Sequence, residues 1–109
     1  MAVIIPRGCT VIHTFKIEGM PPANLITAVL VTYMQSGDIK VEKQTSQVSI
    51  DDSVPAVVVP LTQQDTLAFA EKGEIEAQVR MLTTGGSAVK CTIIVGTADR
   101  VLNQEVLSG

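Results

Sequence analysis

The sequence predicts an all-β fold, an antiparallel sandwich of about seven strands with one short helical turn near residues 63–69. Three observations carry that expectation. Val, Ile and Thr supply 36 of the 109 residues, and their branched Cβ atoms suit a pleated strand better than the crowded turn of a helix. Apolar and polar residues alternate with period two over most of the chain, which is the repeat of a half-buried strand. Clusters of Gly, Pro, Asp, Asn and Ser cut this pattern into short runs. A chain of 109 residues has room for one core, burying about 65% of the surface its unfolded form exposes, so a single domain over residues 1–109 is expected.

The elements follow in order. After the apolar run 2–5, Pro6-Arg7-Gly8 breaks the chain, and residues 9–17 alternate with Cys9, Val11, His13, Phe15 and Ile17 on one side and Thr10, Ile12, Thr14 and Lys16 on the other. The stretch 19–24 is dense in Gly and Pro and reads as a loop, and Leu25 to Met34 forms a second, strongly apolar strand. Ser36-Gly37-Asp38 turns the chain into a weaker strand over 39–43, which resumes at 47–50 before the turn Asp51-Asp52-Ser53. The run 55–61 is β-rich but holds Pro60, which has no N–H for a ladder, so the strand is expected at an edge or a bulge there. Thr62-Gln63-Gln64-Asp65 has the form of a capping box with Asp in place of Glu or Gln, opening one or two helical turns. Residues 73–81 alternate most cleanly of all, and Gly85-Gly86 leads to a partner strand over 88–95, making 73–95 a hairpin.

Charge excludes some functions. The net charge is −3 and the eight basic residues are scattered singly, so no stripe exists to follow a phosphate backbone, and no nucleic-acid partner is expected. Apolar runs are far below the roughly 18 residues a spanning helix needs, so no membrane span is expected. The run 2–5 precedes its basic residue rather than following one, the wrong order for a signal peptide, and folding in a cytoplasm is the expectation. There Cys9 and Cys91 read as two small buried thiols rather than a disulfide.

Catalytic material is thin, with one His, one Tyr and no Trp, so no enzyme, no cofactor and no metal are expected. His13 shares a strand face with Val11 and Phe15, which favours a partly buried histidine satisfied by a neighbour over a catalytic one. Four strand residues put Cys9 about 13 Å from His13, too far for a dyad. No CxxC or HxxxH spacing supplies zinc ligands. Asp51-Asp52-Ser53 lacks the sharp-turn Gly and alternating carboxylates of a calcium loop, and Gly85-Gly86 is explained by the hairpin.

The apolar surplus is more informative. Ile12, Val29, Val31, Val58 and Ile94 fall on the sides that alternation leaves exposed, and these are the interface candidates. If strands 9–17, 25–34 and 55–61 are apolar on both faces, a domain this small cannot cover them alone, and a second copy or another protein is the natural cover.

Three segments carry a resemblance: Ile5-Pro6-Arg7-Gly8-Cys9-Thr10, then Leu61 through Phe69, then Gly73 with Ile75-Glu76-Ala77-Gln78-Val79-Arg80. Together they resemble small proteins of the tail and baseplate region of phages and prophages of Gram-positive gut bacteria, and they are similar to the immunoglobulin-like N-terminal domain of phage baseplate upper proteins. The resemblance implies an immunoglobulin-like sandwich without catalytic residues. It also implies a structural or assembly role in a tail or baseplate, through homo-oligomers or neighbouring phage tail proteins, first in the host cytoplasm and then in the virion. The alternative is a receptor- or carbohydrate-binding module at the tail tip. A hydrolase or redox protein built on Cys9, Cys91 or His13 ranks below both.

Overall fold

In a computed structural model of the chain, residues 3–17, 19–53, 55–71, 73–100 and 106–107 are described, the side chains of 3 and 92–94 excepted. Their strands follow in chain order as β1 (Val3–Ile5), β2 (Val11–Lys16), β3 (Ile26–Gln35), β4 (Asp38–Gln44), β5 (Ser49–Asp51) and β6 (Ala56–Leu61), then the helix α1 (Gln63–Leu67), β7 (Ile75–Thr83) and β8 (Ala88–Ala98). Single 3-10 turns stand at Ala23–Leu25 and Thr45–Gln47.

Each predicted alternating run becomes a strand, and the local turns behave as their chemistry requires. Ser36 and Gly37 both take positive φ, 55° and 83°, between the paired residues Gln35 and Asp38. This is the two-residue hairpin whose twist matches its strands. The hairpin β7–β8 closes through Thr83 to Ser87 and pairs from Leu82↔Ala88 to Ile75↔Gly96.

The strands form two sheets, one of five in the order β1-β8-β7-β3-β4 and one of three in the order β2-β6-β5. Immunoglobulin sandwiches set strands B, E and D on one sheet and G, F, C and C′ on the other. β2, β6 and β5 occupy the first set, and β8, β7, β3 and β4 the second, so the order is immunoglobulin-like. Two departures from the sequence expectation follow. The sandwich is not wholly antiparallel, because β1 runs parallel to β8 with Val3↔Gly96 to Ile5↔Ala98, which adds a short eighth strand to the expected set. Pro60 lies on β6, which is the central strand of its sheet rather than an edge. The missing N–H is tolerated because β5 ends at Ser49↔Val58, leaving the β5 side of β6 open beyond that point.

Between the sheets lie Phe15, Val29, Val31, Tyr33, Val57, Val59, Leu61, Phe69, Val79 and their neighbours. Tyr33 stands at the centre, with ring centroids 5.7 Å from His13, 6.2 Å from Phe15 and 5.8 Å from Phe69. Such tilted and edge-on pairs are the favoured geometry for rings.

The corner between β6 and β7 is held by three polar devices. Thr62 caps α1: its hydroxyl accepts from the Asp65 N–H at 3.1 Å, while the Asp65 carboxylate accepts from the Thr62 N–H at 2.8 Å. Lys43 of β4, on the inward face, reaches Asp65 at 2.6 Å. Gln35, 1% exposed, donates to the carbonyls of Ala70 and Gly73 and accepts from the Ala70 N–H at 2.7 Å. Gly73, at φ +108, packs against that Gln35 side chain. Thr62→Ala is expected to cost about 1 kcal/mol in urea melts, and Thr84→Ala, in the exposed hairpin turn, much less. Equal small losses at the two sites would remove the capping role.

Candidate functional site

The sequence candidates for chemistry separate in the structure, and His13 and the Asp51-Asp52-Ser53 turn are absorbed by folding. His13 Nδ1 lies 2.7 Å from the Tyr33 hydroxyl. His13 Nε2 is buried with no hydrogen-bond partner among the described residues. Whichever nitrogen carries the proton, one ring nitrogen remains unmatched, so a charged imidazole is costly there. Burial lowers the His13 pKa from its ordinary 6.5. Burial, followed by the negative charge of Asp65, raises Tyr33 well above its ordinary 10, so its hydroxyl stays protonated. The depressed histidine has a consequence with a definite sign. The unfolded chain takes up the proton more readily, so this contribution is complete above pH 6.5 and is lost as pH falls through the lowered folded value. Urea midpoints should therefore fall from pH 7.5 to pH 5, and His13→Gln should remove most of that difference.

The segments 6–10 and 61–69 meet in space. The Arg7 guanidinium donates to the Leu67 carbonyl at 3.3 Å. The Gly8 N–H donates to the Thr66 hydroxyl, which in turn donates to the Cys9 carbonyl at 2.9 Å. Arg7 also donates from its backbone to Asp99 at 2.8 Å, so one turn joins the start of β2, the α1 corner and the end of β8. These residues are a staple of the fold.

Cys9 is exposed and Cys91 is partly exposed, both as free thiols, which corrects the expectation of two buried ones. The Thr66 bond to the Cys9 carbonyl holds the backbone and leaves the side chain outside. Asp51 and Asp52 are spent on turns: Asp51 accepts from the Ser53 N–H and hydroxyl, and Asp52 accepts from the Ala23 N–H at 2.8 Å. Among the described residues no group of three or more His, Cys, Asp or Glu is placed to hold a metal ion. No helix among them is long and apolar enough to cross a membrane. Phe15, Tyr33 and Phe69 are all buried, so none offers an open ring face on which a sugar could stack.

The interface candidates divide. Ile12 is 70% exposed, on the outer face of the three-stranded sheet opposite Pro60. Val58, on the same face, is partly buried. The Ile94 backbone pairs with Glu76 in β8, and its side chain lies outside the described residues. Val29 and Val31 are corrected: at 3% and 0% exposure they point between the sheets and are closed to any partner. β3 is apolar on both faces, so a one-residue error in phase exchanges its inner and outer sets. Its true outer set is Ala28, Leu30, Thr32 and Met34, beside Ile39 of β4 and Leu82 of β7. Leu30, Thr32, Met34, Ile39 and the Arg80 stem line one shallow hollow there, and Ala28, Leu30, Leu82 and Ala88 line another. Sequence reasoning missed Leu30, Met34 and Ile39. The signal that finds them is Tyr33, whose ring is the largest apolar surface on the strand and so favours the phase that faces the core.

No protein family, curated protein or solved structure matches the chain.

Proposed function

We propose that the protein is a structural and assembly module of a phage or prophage tail or baseplate, working by packing an apolar sheet face against further copies of itself or a neighbouring virion protein. The observation that carries this reading is the outer face of the five-stranded sheet, where Met34 is 37%, Ile39 58% and Leu82 42% exposed around Leu30. A soluble sheet ordinarily turns a polar side to water. An apolar cluster rimmed by Glu42, Glu76 and Arg80 has the make-up of an interface core with a charged rim. The resemblance in residues 5–15 and 59–82 supplies the virion context, and the module performs no catalysis in this reading. It is made in the host cytoplasm and carried into the particle.

The test is incorporation. Particles purified from a strain that carries the encoding phage should contain the chain. A Leu30→Lys, Met34→Lys variant with an unchanged β spectrum should be depleted from them at least tenfold. Particles that lack the wild-type chain overturn the reading.

A further inference from the structure

The outer face of the five-stranded sheet carries opposite charges two rows apart on β7, Arg80 and Glu76. Cross-strand pairing sets its residues in rows: Ala28 with Leu82 and Ala88, then Leu30 with Arg80 and Lys90, then Thr32 with Gln78 and Glu42, then Met34 with Glu76 and Ile39. Positive charge sits on the second row and negative charge on the third and fourth. Among the described residues none of Arg80, Lys90, Glu42 and Glu76 is engaged in an ion pair within the protomer. We infer that this face binds a second copy of the chain across a two-fold axis that runs over Thr32 and Gln78, perpendicular to the strands.

That axis reverses the row order. It lays Arg80 of one copy over Glu76 of the other, and Leu30 over Met34, twice each, as an isologous interface requires, and it leaves Glu42 facing its own copy on the exposed edge strand β4, where water screens the like charge. A two-fold axis along the strands would keep each row over the same row, so Arg80 would never meet Glu76 and that pairing would be lost. Four strands about 4.8 Å apart and seven residues at about 3.4 Å give a projected face of about 450 Å². With side-chain relief the pair buries about 1,000 Å² in total, below the roughly 1,200 Å² where stable interfaces begin and in the range of weak, transient ones, so association in the micromolar range is expected. The inference rests on the assembly reading in treating this face as an interface, and it narrows the occupant to the chain itself.

Charge reversal tests the axis as well as the face. Sedimentation from about 1 to 500 μM should show a reversible dimer for the wild type. Glu76→Arg and Arg80→Glu should each weaken self-association at least tenfold while keeping the β spectrum, because each sets like charges together twice. An equimolar mixture of the two should regain the dimer, since both cross-copy pairs between positions 76 and 80 are again opposite in sign. A mixture that stays monomeric, or variants that dimerise as the wild type does, overturns the inference. A wild type that is monomeric throughout also overturns it. If that monomeric chain is still incorporated into particles, and Leu30→Lys, Met34→Lys still depletes it, the assembly reading survives with another virion protein as the occupant. Absence from particles ends that reading separately, whatever the dimer does.

Discussion

Tyr33→Ala is expected to be the most damaging single substitution, lowering the free energy of unfolding by about 4 kcal/mol and leaving little of the roughly 5–15 kcal/mol that holds a small domain folded. The side chain is fully buried and touches rings from β2, from its neighbour His13 and from the corner after α1. Its removal opens a cavity at the point where both sheets and the corner converge. It also strips His13 Nδ1 of its 2.7 Å partner, so neither ring nitrogen of that histidine is then matched. Tyr33→Phe isolates the second effect, because it keeps the ring packing and removes the hydroxyl alone. It should cost about 1–3 kcal/mol. Denaturant unfolding of the two variants checks the order. A Phe variant as unstable as the Ala variant would assign the stability to the hydroxyl instead of the ring. An Ala variant within about 1 kcal/mol of the wild type would deny Tyr33 its place at the centre of the core.

The same residue shows where sequence reading of this chain succeeds and where it stops. Local features were legible because the chemistry that makes them lies within a few residues. Thr62 and Asp65 spell a capping box and form one. Ser36-Gly37 and Gly85-Gly86 are turns with strands on either side. In β7 one phase of the alternation is apolar and the other polar through Arg80, and in β2 the outer phase is polar apart from Ile12, so their inner faces are read directly, Phe15 and His13 inside, Glu76 and Arg80 outside. β3 offered no such contrast. Almost every residue from 25 to 34 is apolar, so period two is present without a phase, and Val29 and Val31, which alternation places outward, are set inward together with the buried Tyr33 and Gln35. The outward phase of β3 is Ala28, Leu30, Thr32 and Met34, of which Met34 is exposed and the others partly buried. Two further features lay beyond any local signal. The pairing of β1 with β8 joins Val3 to Gly96, and the contact of Arg7 and Gly8 with Leu67 and Thr66 spans most of the chain. Neither is written in composition or spacing.

Lys43→Met should give the next largest loss, about 2–3 kcal/mol, by breaking the ion pair under α1. Lys43 sits on the inward phase of β4 with its side chain 9% exposed, and it meets an Asp65 carboxylate that is itself only 21% exposed. Methionine preserves much of the apolar stem, so the loss reports the unpaired carboxylate more than lost packing. Burial alone would raise the Asp65 pKa, but the hydrogen bonds and charge of Lys43, with the Thr62 N–H and hydroxyl, outweigh it and hold the carboxyl below its ordinary 3.8. A carboxylate with a depressed folded pKa adds stability that is complete above the unfolded value and is lost as pH falls through the folded one. The difference between wild type and Lys43→Met should therefore be full at neutral pH and shrink below about pH 4. Asp65→Asn supplies the other arm of a double-mutant cycle, since it removes the charge while retaining an oxygen for the Thr62 N–H. In the Asn background Lys43→Met should cost at least 1 kcal/mol less, because no carboxylate is left to strand. Additive losses across the cycle would mean that the two side chains stabilise the corner independently, and the pH-dependent difference should then be absent as well.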